Sequence, residues 1–200
     1  MKLIIATQNN NKVIEFKKII SDNKLDFDVY SLKDLNILDE VEEDGSTLDE
    51  NAYKKALGYY NIINKLGYTD YIVIADDTGL FVDALDGRPG IYSARYAGDD
   101  ATYLDNRKKL LKELKNIENR DAHFCTTMCM IYNQDIKYFY GKTYGKILKK
   151  HVGNNEFGYD KIFYSNEIHK SFGIASLEEK NLVSHRGKAM KAVIEYLKQL

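Results

Sequence analysis

IADDTGLFVDALDGRPGIYSARYAG, Ile74 to Gly98, is the stretch around which the chain is arranged. It continues an apolar run, Tyr71-Ile72-Val73-Ile74-Ala75, that reads as a buried strand. Two acids, Asp76 and Asp77, follow at once, then Thr78 and Gly79. The chain's one proline, Pro89, sits between Gly87 and Gly90. A strand that ends in carboxylates and opens into a glycine-punctuated loop is where an open α/β sheet keeps its chemistry. Residues adjacent on a strand face opposite sides. Asp76 and Asp77 are therefore not expected to touch: one faces a site while the other bonds backbone or a nearby turn.

Upstream of this stretch, Lys2 to Thr7 reads as a short strand that feeds a polar turn, Thr7-Gln8-Asn9-Asn10-Asn11-Lys12. A helix follows, with Val13, Phe16 and Ile20 on one face. Phe27 to Ser31 is a second strand, and Leu38 to Ser46 an acidic loop ending in a glycine turn. The next helix runs from Thr47 to Leu66, with Leu48, Ala52, Ala56, Tyr59/Tyr60 and Ile63 apolar. Thr47 and Glu50 have capping-box spacing, and Gly67 closes the helix.

Downstream, Asp100 to Leu114 is a helix with Leu104, Leu110, Leu111 and Leu114 apolar. Ala122 to Tyr132 and Ile136 to Thr143 form a hairpin. Gly145 to Tyr159 reads mostly as loop, as does the polar run Glu178 to Gly187. The last helix is Lys188 to Leu200, with Ala189, Val193 and Tyr196/Leu197 on one face. The order β-α-β-α-β-α-β-β-α predicts an α/β fold with a mixed sheet: parallel crossovers early, an antiparallel hairpin late.

Two hundred residues suit a single domain, residues 1–200, with room for two lobes. A net charge of -1 gives no basic field for nucleic acid, so no nucleic-acid partner is expected. No apolar run approaches the ~20 residues of a membrane span, and the N-terminus lacks a secretory pattern, so a cytoplasmic protein without a membrane partner is expected. Cys125 and Cys129 lie four apart, ~13 Å along a strand, too far for a disulfide. They read as two buried core thiols.

Three groups of residues carry candidate chemistry. A strand, a polar turn and a helix N-terminus make an anion site, to which Lys12 adds a full charge; a capped helix with a surface lysine accounts for the turn equally well. Glu43 plus one aspartate suits Mg²⁺, which takes one or two carboxylates and fills its octahedron with water and phosphate; the alternative is a solvated acidic loop and a structural aspartate. Phe157 and Tyr159, flanking Gly158 and followed by Asp160, suit stacking on a base and bonding its edge, or core packing at a loop end.

These alternatives meet in a resemblance. ATQNNNK, EDGSTLDENAYKKA, IADDTGL, GRPGIYSARYAG, FGYD, and EEKN with SHRGKA stand in the order seen in one family. The chain resembles the inosine triphosphate pyrophosphatases, the Ham1 or RdgB-like family, over residues 3–197. The resemblance implies an elongated mixed sheet with flanking helices, forming two lobes around a nucleotide-binding cleft, in a protein that is usually a homodimer. It implies Mg²⁺-dependent hydrolysis of ITP, dITP and XTP to monophosphate and pyrophosphate, with Mn²⁺ as a possible substitute. By position, Thr7, Gln8, Asn9, Asn10, Asn11 and Lys12 would hold the triphosphate, with Lys55 a further phosphate-side lysine. Glu43 and Asp77 match the metal-site acids, and Asp77 also matches the proton acceptor. Thr78 matches a substrate contact; Phe157, Gly158, Tyr159 and Asp160 match base and sugar contacts; Lys180, His185 and Arg186 match the remaining base-pocket residues.

Departures from the family pattern are Gln8 in place of a usual glycine, Lys161 in place of a common proline, and Gly173 to Leu177 in place of an alanine-glutamate-leucine segment. Two rival readings are a Maf-like pyrimidine pyrophosphatase and a nucleotide sensor without catalysis. FGYD and SHRGKA argue against the first; Glu43, Asp77 and Lys12 argue against the second.

Overall fold

The structure, a computed structural model, describes all 200 residues. β1 (Lys2–Ile5) enters the polar turn and α1 (Asn10–Asp22). Asn9, extended at φ −80°, caps α1 by accepting from the Asn11 and Lys12 N–H groups. β2 (Asp28–Ser31), α2 (Leu48–Lys65), β3 (Tyr71–Val82), β4 (Pro89–Gly90) and α3 (Tyr103–Glu113) follow. Thr102 and Asp105 form a capping box on α3. At α2 only half of such a box forms. Thr47 accepts from Glu50 N–H, but the Glu50 carboxylate turns to the N–H and hydroxyl of Ser46.

β5 (Asp121–Tyr132) and β6 (Asp135–Ile147) are the expected hairpin. Asn133 and Gln134 both take positive φ, the backbone that a two-residue hairpin turn needs. β7 (Phe163–Ser165), β8 (Lys170–Ser171), α4 (Leu177–Val183) and α5 (His185–Leu197) complete the chain. The eight strands form one mixed sheet in the order β2-β1-β3-β5-β6-β7-β8, with β4 paired to β3. β1 is parallel to β2 and β3, while β6 and β7 are antiparallel. No helix is long and apolar enough to cross a membrane.

Several elements differ from the sequence expectation: β4, β7 and β8 are additional strands, and the last helix begins at His185 rather than Lys188. The central strand does not stop at its acids: β3 runs on to Val82. Gly79 is a close-approach residue within it, since a Cβ there would lie 2.7 Å from the Gly90 carbonyl. β6 extends to Ile147 for the same kind of reason, because Gly145 lets it approach Tyr164 of β7. Residues 178–183 are helix rather than loop, because Ser176 and Glu179 make a complete capping box. Leu104, expected on the apolar face of α3, is 40% exposed. Cys129 is buried, and burial followed by Asp49 pushes its thiol up to about 12. Cys125 is only half-buried.

Two compact units divide the chain. The first comprises Met1–Asp77, Thr126–Tyr140 and Ala189–Leu200. Strand alternation gives it two cores. Leu3, Ile5, Ile72, Ile74, Met128 and Met130 pack on one side with residues of α1 and α5. Ile4, Ala6, Val73, Ala75, Cys129 and Ile131 pack on the other with Ala52, Ala56, Tyr59 and Ile63 of α2. The second unit, Thr78–Cys125 and Gly141–Lys188, has one core around Leu80, Leu110, Phe124, Ile162, Phe163 and Phe172.

Candidate active site

In the first unit the β3 alternation carries through to the acids. Asp76 continues the side of Ile72 and Ile74, and Asp77 the side of Val73 and Ala75. Their partners differ accordingly. Lys12 of α1 pairs with the Asp76 carboxylate at 3.0 Å. Asn51 of α2 donates its Nδ2–H to Asp77 Oδ2 at 3.1 Å. Asp76 is 1% exposed, and it neutralises a lysine expected to meet phosphate.

Lys55, one helical turn beyond Asn51 on the buried stripe of α2, donates to the Asp76 carbonyl at 3.0 Å and pairs with Glu43 at 2.6 Å. Burial alone would push its ammonium down, but the carboxylates of Glu43, Asp76 and Asp77 outweigh that and hold it above its ordinary value. Asp77 moves the other way from an exposed aspartate. Burial raises it; Lys55 and Lys12 pull down, Glu43 pushes up, and the Asn51 bond pulls down, leaving a net rise.

The acidic loop carrying Glu43 is docked on α2. Val41 fills the groove that Gly58 leaves open: a Cβ on Gly58 would lie 2.7 Å from its methyls. Tyr59 donates to the Asp39 carbonyl, and Gly45 N–H donates to Asn51 Oδ1 at 2.7 Å. One amide thus joins the loop to Asp77. Because its oxygen is held by a backbone N–H, its NH₂ must face the carboxylate. Sequence reading missed Asn51. The signal was a polar residue inside the apolar stripe Leu48-Asn51-Ala52-Lys55-Ala56, all buried.

The turn at the head of α1 is built from its own side chains. Thr7 Oγ accepts from Asn9 N–H at 3.2 Å. Asn10 and Asn11 are exposed. Gln8 is turned aside, donating to the Ile37 carbonyl at 3.2 Å, so the turn closes without glycine. Glu43 and Asp77 offer two carboxylates, which fits Mg²⁺ when waters and phosphate complete the shell. No group of three or more His, Cys, Asp or Glu side chains is arranged to hold a metal on its own.

In the second unit Lys180 and Asp160 form a buried pair at 2.7 Å. The half-buried Phe157 ring lies 4.9 Å from the Lys180 ammonium and 5.4 Å from the Arg186 guanidinium. Arg186 also reaches Thr78 Oγ at 3.5 Å, and His185 stacks on Phe124 with centroids 4.5 Å apart. Tyr159 is 5% exposed, with its hydroxyl donated to the Ser93 carbonyl at 2.8 Å, so it holds the loop from the core side. Gly158 supplies a left-handed turn at φ +51°. Phe157, Asp160, Lys180 and Arg186 thus stand together, while Tyr159 is turned into the core.

The Ham1 family model matches residues 3–196. The dITP/XTP pyrophosphatase of Thermoanaerobacter pseudethanolicus is 43% identical over 199 residues, covering 98% of this chain and 96% of that protein. The dITP/XTP pyrophosphatase of Clostridium perfringens is also 43% identical, over 98% of this chain and 97% of its own. Among solved structures, the Ham1 protein of Staphylococcus aureus has a TM-score of 0.84 at 38% identity, covering 100% of this chain and 99% of that one. A HAM1 protein from Coxiella burnetii has a TM-score of 0.86 at 30% identity, with both chains covered in full. With a matching model that spans nearly the whole chain and relatives aligned end to end, this chain belongs to the Ham1 family.

Proposed function

We propose that this protein is a nucleoside triphosphate pyrophosphatase that hydrolyses non-canonical purine triphosphates, dITP, ITP and XTP, to the monophosphate and pyrophosphate. The observation that carries the reading is the buried Asp77, raised above its ordinary range and held by Asn51 beside the Lys55–Glu43 pair. Full-length relatives named dITP/XTP pyrophosphatases support the substrate class. Acting on free nucleotides, the protein works in the cytoplasm, as a homodimer.

The reaction is attack of water at the α-phosphorus. Asp77 takes the water's proton on a carboxylate oxygen, the bond from the α-phosphorus to the bridging oxygen breaks, and pyrophosphate leaves. A carboxylate lifted above its ordinary range is the better base near neutral pH. Lys12 and Lys55 exchange part of their contact with Asp76 and Glu43 for phosphate oxygens, with Thr7, Asn9 and the α1 N-terminus adding donors. Glu43 and Asp77 would hold Mg²⁺, or Mn²⁺ in its place, which when bound neutralises phosphate charge and acidifies water.

Phe157, Lys180 and Arg186 recognise the base. Phe157 offers a stacking face, and Arg186 and Lys180 offer N–H donors. Inosine and xanthosine carry a 6-keto acceptor, whereas adenine carries a 6-amino donor. Donors left unpaired against adenine make such a site selective.

A panel of ITP, dITP, XTP, ATP, GTP and dTTP with Mg²⁺, scoring pyrophosphate against single phosphate, tests the reading. Pyrophosphate release from the first three is expected. Preference for dTTP would move the protein to a pyrimidine pyrophosphatase, and tight ITP binding without release would make it a sensor.

A further inference from the structure

We propose that Arg107 is a positioning residue for the base-side loop: its guanidinium fixes the backbone that presents Phe157 to the purine. The proposal rests on the assignment of that loop to the base.

Arg107 lies on α3 and is 2% exposed. Its Nη1 donates to two carbonyls, Glu156 at 3.0 Å and Gly158 at 2.8 Å. Its Nη2 donates to the Glu156 carboxylate at 2.7 Å. The two carbonyls stand on either side of Phe157, so one planar fork with fixed donor directions sets the peptide groups at both ends of the turn. Gly158, which carries the second carbonyl, is left-handed and has no heavy atom within 4 Å of where a Cβ would stand, so packing does not hold the turn there. One helical turn before Arg107, Tyr103 meets the Phe157 ring edge-on at 5.8 Å. α3 therefore holds Phe157 twice, by its backbone through Arg107 and by its ring through Tyr103.

A purely stabilising role fits these contacts poorly. The guanidinium is almost wholly out of water, its Nε–H has no hydrogen-bond partner, and its one anionic partner, Glu156, is 65% exposed and also bound by Lys161. Burying a charge on such terms contributes little to stability. Its distinctive product is the direction of two carbonyls, and hence the place of the aromatic ring between them.

The test compares Arg107→Met, Arg107→Lys and Glu156→Gln with wild type, using ITP with Mg²⁺ as substrate and inorganic tripolyphosphate as a competitive probe that has no base. Arg107→Met is expected to raise KM for ITP about tenfold with kcat within about threefold, the loss of charge-assisted bonds to two carbonyls. Arg107→Lys keeps the charge without the fork and is expected to raise KM about threefold. Glu156→Gln keeps both carbonyl bonds and stays within twofold. The Ki of tripolyphosphate is expected to stay within twofold throughout. If Arg107→Met fails to fold, Arg107→Lys decides. A folded Arg107 variant with unchanged KM for ITP overturns the positioning role, as does a KM and a tripolyphosphate Ki that rise together. Wild type that turns over no ITP overturns the proposed function along with this inference, whereas turnover with unmoved variants overturns this inference alone.

Discussion

Asp77 is one covalent step from Asp76, yet the two do different work because a strand sends them to opposite sides. Asp76 balances Lys12; Asp77 is left raised by its burial. Asp77→Asn is expected to lower kcat with ITP by ~10²–10⁴-fold, the usual contribution of a positioned base. A kcat within tenfold of wild type would remove Asp77 from that role. The same substitution tests the linkage. Because the folded-state value is raised, the aspartate's contribution to stability is fully present below its unfolded pKa of about 3.9 and is lost as pH rises through the folded value. In metal-free buffer at neutral pH the Asp77→Asn variant is thus expected to melt at or above wild type, with the gap closing toward pH 4. Melting temperatures across that range check the sign.

At the scale of elements, α2 and the acidic loop before it act as one piece. Asn51, Lys55 and Gly58 follow one another along the helix, and each receives a part of the site or of the loop: Asp77, Glu43 and Val41. Gly45 is the contact that sets the spacing. Its N–H holds the Asn51 oxygen, and a Cβ there would fall 2.6 Å from that oxygen. Gly45→Ala is expected to push the amide off Asp77 and cut kcat about tenfold, with an overpacking cost of about 1–3 kcal/mol. A kcat equal to wild type, measured beside the melting temperature, would separate the loop from the chemistry. The helix itself was legible from Thr47 and its apolar period. The docking of the loop was not, because Val41 in a run of acids reads as an isolated apolar residue until Gly58 opens a groove for it.

At the scale of the molecule, the fold stands on apolar clusters, two in the first unit and one in the second. Glu43 and Asp77, the acids proposed to hold the metal, lie outside all three clusters. Removing metal with EDTA is expected to leave the melting temperature within about a degree while abolishing pyrophosphate release, unlike proteins whose folding depends on a bound ion. A large fall in melting temperature on chelation would show that the acids hold the fold as well as the substrate.

The order of the main strands and helices, the mixed sheet and the hairpin were legible in the amino-acid order alone, because period, caps and turn signals are local properties; the short strands β4, β7 and β8 and the helix α4 were not. Where β3 ends, which lysine meets which acid, that Asp77 is buried, that Asn51 holds Asp77 and that Arg107 holds the turn at Phe157 came only with the folded chain. Those depend on pairings across tens of residues. Asn51 meets Asp77 26 positions away, and Arg107 meets Gly158 51 positions away. Hydrogen-bond direction and desolvation exist only once such partners have come together.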